Sequence, residues 1–468
     1  MSVIHPSQRY LLPEQPIRSV DEYLATPWGG KGLERAVEIG PDATIAEISK
    51  AGLRGRGGGG FPTGTKWAGV RSQTGTDRYV VVNGAEGEPG TFKDRHLLRM
   101  NPYQVVEGMI IAAHVVGATS AFLALKGSFT EELDNVTRAV QEMQQAGICS
   151  DCSVTIVRGP DEYLFGEEKA LLEVIEGKPP MPRLLAPHMH GLFATAPQTG
   201  WTSVELAPGH SGRHESNPTL VNNVETLANA AAIMARGSDW YRTMGTAASP
   251  GHLLCTVVGD VRTAAVDEVE LGTPLRTVID EVGGGVAEGR EVKAVFSGVA
   301  NAVVTAADLD TPVSYEAMAG IGSGMGAGGF IVYDDTACMV EVAHLFSKFL
   351  AVESCGQCPS CKLGSAAITE SLAHIEAGTA TDGTNDSLVG WIPKVTDGNR
   401  CFLAVEEQIV VSSILRAFSR EVDEHLALGA CPRPRGLQIP KLLDVRDGVA
   451  TYDERQGRKR PDWTYEGE

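Results

Sequence analysis

The sequence predicts an α/β domain, then a small α+β domain, then a C-terminal helical domain. Three observations lead there. Short apolar runs alternate with helix-like stretches over residues 46–245. Residues 246–334 then carry three strand-like runs around one short helix, and residues 335–430 carry two broad apolar stripes at helical spacing. Strand–helix alternation is the pattern of a mostly parallel sheet covered by helices, and apolar residues three and four apart form one helix face.

Residues 1–45 hold several prolines and polar residues and read as an N-terminal arm. In the α/β region, Tyr79–Val82 is an apolar run suited to a buried strand. A helix is expected over Asn101–Val116, a strand over Ala121–Leu125, a helix over Glu131–Ala146, a strand over Val154–Val157 and a helix over Glu167–Ile175. In the second region Leu253–Val258, Val292–Phe296 and Phe330–Tyr333 read as strands and Thr277–Val282 as a helix. The helical stripes are Val340, Ala343, Leu345, Phe346, Phe349 and Leu350, then Val410, Val411, Ile414, Leu415, Phe418 and Val422. Residues 431–468, rich in Pro, Arg, Lys and Asp, read as a partly ordered extension.

The 468 residues exceed what one core organises, and the 43% hydrophobic and 21% charged content is that of a soluble globular chain. A net charge of −19 excludes nucleic acid, a polyanion, as the natural ligand. No run of apolar residues is long enough to span a membrane, and the opening residues lack a basic-then-apolar secretory pattern, so the cytoplasm is the expected location. Nine cysteines in such a chain point to metal binding under reducing conditions more than to disulfides.

Cys355, Cys358 and Cys361 stand at C-x2-C-x2-C spacing, so one loop can wrap a metal centre. Cys401, just before the second stripe, is the candidate fourth ligand. Zinc usually takes two separate C-x2-C pairs, whereas three thiolates in one run plus a distant fourth suit a [4Fe–4S] cubane; structural zinc is the alternative. Cys149 and Cys152 form an isolated C-x2-C and read as unligated thiols. Cys255 and Cys338 lie in apolar runs and read as core, and Cys431 has no assigned role.

Gly52 to Trp67 holds six glycines within residues 52–60, together with Arg54, Arg56 and Lys66. Such a loop runs its backbone close to a ligand and aims N–H groups at a phosphate. It matches neither the P-loop nor the dinucleotide fingerprint. Phe61, Pro62 and Trp67 anchor it and argue against a solvated linker. Asn83 to Gly90, with Glu86 and Glu88, follows the predicted strand at 79–82, and strand ends are where α/β sheets bind ligands. Taken alone, an acidic solvated turn is an equal reading.

Together these segments resemble the NADH-binding flavoprotein subunit of respiratory complex I and its relatives in soluble hydrogenases and NAD-linked formate dehydrogenases. The likeness runs from about Gly52 to Cys431. It includes Asn83–Arg95, Tyr163-Leu164-Phe165-Gly166-Glu167-Glu168, Asn217 to Leu227 with Asn222 and Asn223, and Glu353 to Gly364. The resemblance implies a Rossmann-like FMN and dinucleotide domain, a ubiquitin-like domain of the soluble-ligand-binding β-grasp type, and a helical bundle carrying the cluster. It implies that Gly55, Arg56, Gly57, Gly58 and Lys66 hold the FMN phosphate and ring edge. Asn83, Glu86, Tyr163, Gly166, Asn222 and Asn223 would complete the flavin pocket, with Phe61, Glu88, Glu167 and Glu168 near the nicotinamide and ribose. It further implies hydride transfer between NAD(H) and FMN, single-electron transfer through the cluster, a thioredoxin-like [2Fe–2S] partner and further redox subunits. No side chain need act as acid or base. A relay subunit without NAD(H) activity, or with another hydride carrier, is the alternative.

The chain departs from the family around the dinucleotide. Ala85 replaces a common Asp, and Ala68-Gly69 stands where an aromatic commonly follows Lys-Trp. Leu185 to His190 replaces a Pro-Pro-Phe-Pro-Ala run, and Phe165 and Lys169 replace a Cys and a Thr. The lost aromatics would remove roughly 0.5–1.5 kcal/mol of adenine stacking per contact. Residues 192–215 read as an insertion beside this mouth, with His190, Trp201, His210 and His214 in or near it.

Overall fold

The computed structural model describes residues 8–73, 77–195 and 216–467. The described residues form two compact units, one within Pro6–Glu86 and Asp94–His252, the other within Gly87–Lys93 and Leu253–Glu468. Trp201, His210 and His214 lie outside the described residues.

The first unit begins with three helices, α1 (Val20–Ala25), α2 (Lys31–Ile39) and α3 (Pro41–Ala51). Residues 20–45, expected in an arm, are thus largely helical. Pro41, one of the prolines of that stretch, occupies the first turn of α3, where a missing N–H costs nothing. Then come α4 (Thr63–Ser72), β1 (Tyr79–Asn83), α5 (Lys93–Met100), α6 (Pro102–Val116), β2 (Ser120–Lys126), α7 (Thr130–Gln145), β3 (Ser153–Gly159), α8 (Glu168–Ile175), β4 (Thr219–Asn223), α9 (Val224–Arg236) and α10 (Ser238–Tyr241). Asn101 starts α6 by accepting the Gln104 N–H at 3.3 Å, and Pro102 follows it.

The sheet order is β3-β2-β1-β4, and every pairing is parallel. On one face Val81, Ala124 and Val221 bury against Leu171 and Leu172 of α8. β4 and α9 had no periodic signature because both are buried on nearly all sides. This is the Rossmann-like core expected.

The second unit opens with β5 (His252–Gly259), β6 (Ala265–Glu270), α11 (Leu275–Val282), β7 (Val292–Ser297), β8 (Val304–Thr305), α12 (Tyr315–Gly320) and β9 (Gly329–Asp334). The order β6-β5-β9-β7-β8 sets the first and last strands parallel in the middle. α11 closes the core with Leu275, Val278, Ile279 and Val282, as in a β-grasp fold. The helical region follows as α13 (Met339–Glu353), α14 (Pro359–Glu376), α15 (Asp382–Trp391), α16 (Leu403–Ala417) and α17 (Ser419–Leu428). Among the described residues no helix is long and apolar enough to cross a membrane.

Residues 431–467, expected to be partly ordered, carry an antiparallel hairpin of β10 (Leu442–Arg446) and β11 (Val449–Tyr452). Its anchor is a pair invisible to local sequence reading. The Lys459 ammonium lies 2.9 Å and 3.0 Å from the Glu353 carboxylate oxygens, and both side chains are fully buried.

Candidate functional site

Order 2-1-4 in the first unit means that the chain leaves β1 toward β2 and later returns on the other side, so a crevice opens at the carboxyl ends of β1 and β4. The register sets Asn83 beside Asn223 and Val82 beside Asn222 at that crevice. The glycine loop reaches the same place, since a Cβ on Gly57 would lie 3.1 Å from Asn223 Cβ. Asn83 Nδ2 donates to the Gly166 carbonyl at 2.7 Å and so draws the third motif in. Four segments separate in sequence thereby converge.

The neck of the loop is tied. Gly55 N–H donates to Phe61 O at 2.9 Å, Thr63 N–H to Leu53 O at 2.9 Å, and Arg54 Nε to Gly60 O at 2.7 Å. Within it Gly58 (φ 110°) and Gly60 (φ 58°) adopt backbone that other residues resist. Gly59 has open space where a Cβ would be. α4 starts directly after the loop, so its first N–H groups and Lys66 face the same end. The Thr63 hydroxyl, in that first turn, is buried with no hydrogen-bond partner among the described residues. An orphaned hydroxyl at a glycine-lined helix start fits a phosphate, which supplies acceptor oxygens. Thr63 was not singled out from sequence, although its place just after the glycines was the available signal.

Several expected site residues are engaged with protein. Arg56 does not project into the loop. Its side chain is buried, Nη2 donates to Tyr241 Oη and His252 O at 3.0 Å each, and Nε lies 3.9 Å from Glu225 Oε1. It acts as a tether. Asn222 Oδ1 accepts from Trp67 Nε1 at 2.8 Å, and Asn223 Nδ2 donates to Asp94 at 2.6 Å. The Glu86 side chain is buried and accepts from Arg95 Nε at 3.1 Å. These residues fix the pocket wall. Tyr163 and Gly166 form a 3₁₀ turn leading into α8.

Lys66 and Glu168 pair at 2.8 Å, both partly exposed. Glu167 caps α8 by accepting from the Lys169 and Ala170 N–H groups at 2.9 Å each. Burial pushes its carboxyl up to about 7 against the pull of Lys169 and those N–H groups. The Phe61 ring is exposed beside the loop. Glu88 belongs to the second unit, where it accepts the Val299 N–H at 2.6 Å. At the departures, Phe165 is fully buried, Leu184 and Met189 are exposed, and His190 is buried.

In the second unit α13 ends at Glu353 and the cysteine loop follows. Gly356 takes the left-handed conformation (φ 78°) and lets the chain turn back into α14. Cys358 occupies the N-cap of α14, and Cys361 lies in its first turn. Ser354 Oγ is 3.3 Å from Cys361 Sγ, and Gln357 Nε2 donates to Cys355 Sγ at 3.6 Å. Cys401 lies just before α16, half-buried like Cys355. Burial pushes the Cys361 thiol up to about 11, and neighbouring Cys358 and Cys355 add to the rise. Crowded sulfurs of this kind become thiolates together only with a cation among them. Among the described residues no three of the four bring their sulfurs within 4.8 Å of one another. A cubane sets its ligands farther apart, so an all-sulfur donor set here fits an iron–sulfur cluster.

All nine cysteines are free. Burial pushes Cys149 and Cys152 up to about 12 and about 11, which keeps them as protonated thiols.

Comparison with known proteins agrees with this geometry. The family profile described as the Nuo51 FMN-binding domain matches residues 48–232, and that of the NADH-ubiquinone oxidoreductase-F iron-sulfur binding region matches 341–425. An NADH-quinone oxidoreductase subunit of Rhizobium meliloti is 34% identical over 86% of this chain and 94% of its own. The NADP-reducing hydrogenase subunit HndC of Solidesulfovibrio fructosivorans is 33% identical over 88% and 82%. The crystal structure of an air-oxidized NAD+-reducing [NiFe]-hydrogenase superposes with a TM-score of 0.74 at 31% identity, over 88% of this chain and 67% of that one. With these likenesses running nearly end to end, the chain belongs to the family of NADH-quinone oxidoreductase subunits that join a Nuo51 FMN-binding domain to an NADH-oxidoreductase iron–sulfur region.

Proposed function

We propose that this chain transfers hydride between NAD(H) and FMN and passes electrons singly through a [4Fe–4S] cluster to redox partner subunits. The observation that carries the reading is the convergence of the glycine loop, Asn83, Gly166 and Asn222–Asn223 on one crevice, beside a Thr63 hydroxyl that has no partner among the described residues. FMN supplies the conversion between two-electron and one-electron chemistry. The chain's own residues bind and orient.

Glycine-loop N–H groups, Thr63 and Lys66 hold the phosphate. Asn83, Tyr163 and Gly166 border the ring, and Arg56, Glu86, Asn222 and Asn223 keep the wall in register. Phe61 offers a face to the nicotinamide, and Glu167 and Glu168 favour a ribose hydroxyl over a 2′-phosphate. Cys355, Cys358, Cys361 and Cys401 hold the cluster. A thioredoxin-like [2Fe–2S] subunit is the proposed next acceptor, in the cytoplasm.

The test is anaerobic titration of the flavin- and cluster-loaded protein with NADH. Bleaching of flavin absorbance at sub-millimolar NADH, with a far weaker response to NADPH, is expected. The replaced adenine-side aromatics support one other reading, a relay without NAD(H) activity. Absence of bleaching with flavin and iron both present would select it.

A further inference from the structure

A second cluster of residues of metal-ligating type lies in the second unit, apart from the cysteines of the loop and Cys401. Cys338, His425 and Cys431 bring their ligand atoms within 4.8 Å of one another. Cys338, expected as an ordinary core residue, is fully buried at the N-cap of α13, and Glu341 N–H donates to its Sγ at 3.5 Å. His425, in the last turn of α17, is also fully buried. Its Nδ1 lies 2.6 Å from the Glu421 carbonyl, one turn earlier. That contact needs a hydrogen on Nδ1 and leaves the Nε2 lone pair facing Cys338 Sγ at 3.3 Å. Cys431 follows α17 and is half-buried.

Anchoring one ring nitrogen on a carbonyl is how proteins aim a metal-binding imidazole. A plain thiol–imidazole hydrogen bond would need one cysteine, but here a second cysteine, Cys431, joins the group. The nearby cations have carboxylate partners: Lys293 pairs with Glu421 at 2.6 Å, and Arg433 pairs with Glu424 at 2.8 Å and Glu421 at 3.6 Å, although Arg433 Nε has no hydrogen-bond partner among the described residues.

We propose that Cys338, His425 and Cys431 bind a zinc ion. Two thiolates and one imidazole form a soft, borderline donor set that suits zinc, and a divalent ion with two thiolates is electrically neutral. Tetrahedral zinc takes its fourth donor from solvent on the half-exposed Cys431 side. The ion clips the segment that leads to β10–β11 onto the start of α13, the helix whose other end enters the cluster loop.

Metal analysis of the full chain, loaded with flavin and cluster and dialysed against a mild chelator, tests this. About one zinc per chain is expected beside the cluster iron. Cys431→Ser should retain about tenfold less zinc with iron and flavin unchanged. Because that residue is half-exposed, the variant keeps the fold, and Cys338→Ala should repeat the loss. Cobalt exchanged into the zinc-depleted, cluster-loaded chain should give thiolate-to-cobalt absorption that falls in Cys431→Ser. Equal zinc in wild type and variants would overturn the proposal. So would a Cys338–Cys431 disulfide found by mass spectrometry in anaerobically prepared protein.

Discussion

Glu407 illustrates how far burial outweighs composition at a single residue. Its side chain on α16 is fully enclosed, Ser347 Oγ donates to Oε1 at 2.6 Å, and Oε2 has no partner among the described residues. Burial pushes its carboxyl up to about 8, against the Ser347 hydrogen bond. The sign follows from linkage. The folded chain holds this proton over a pH range in which the unfolded chain has released it. Glu407 therefore favours folding below about pH 4.5, and that contribution is lost as pH rises toward 8. Glu407→Gln should flatten the fall in stability between those limits. Urea midpoints of wild type and variant at several pH values measure this, and parallel curves would refute it. Arg56 makes the complementary point. Its charge looked like part of a phosphate loop, yet Tyr241, His252 and Glu225 draw it inward.

At the scale of elements, helix contacts set the frame that holds the flavin-side crevice. α6 and α9 touch at Gly108, where a Cβ would meet the Leu227 carbonyl oxygen at 2.0 Å. A second close approach, at Gly32 of α2, would place a Cβ 2.5 Å from the Ala231 carbonyl of α9. Backbone on the far side cannot swing away like a side chain. Ala is otherwise the better helix residue by about 1 kcal/mol. Gly108→Ala should nonetheless destabilise the chain by about 1–3 kcal/mol, because overpacking outweighs propensity. Chemical denaturation reads the sign, and a stabilised variant would show that α6 and α9 separate freely. β4 feeds directly into α9, so slackness there should also loosen flavin binding.

At the scale of the chain, the C-terminal extension completes the cluster region of the second unit. Lys362 Nζ donates to the Ser354 and Pro461 carbonyls at 2.8 Å and 2.9 Å, and Trp463 Nε1 donates to Val352 O at 3.1 Å. The buried Lys459–Glu353 pair, with Gln456 Nε2 donating to the same carboxylate at 3.0 Å, fastens it. Lys459→Met would strand the Glu353 carboxylate beside the cysteine loop. A loss of about 3–5 kcal/mol is expected. A Lys459→Met/Glu353→Leu double variant should recover most of it, because both charges then leave the interior. Denaturation of the two variants checks this, and equal losses would show that the pair is not coupled.

The sequence by itself determined the chemistry and most of the scaffold. The C-x2-C-x2-C run, the glycine loop and the period-specific apolar patterns are local features, legible because each lies within a few turns of chain. β1, β2, β3, β5, β7, β9, α6 and α7 fall where those patterns put them, whereas β6, β8 and the β10–β11 hairpin were not foreseen. Tertiary structure decided what depends on distant partners. Uniform burial hid β4 and α9 from periodicity, and packing made helices of a proline-marked arm. The extension is ordered by a fully buried ion pair 106 residues apart in sequence. Among the described residues the Thr63 hydroxyl is left without a partner, and Cys338, His425 and Cys431 are assembled, only in three dimensions, because burial and proximity belong to the folded chain.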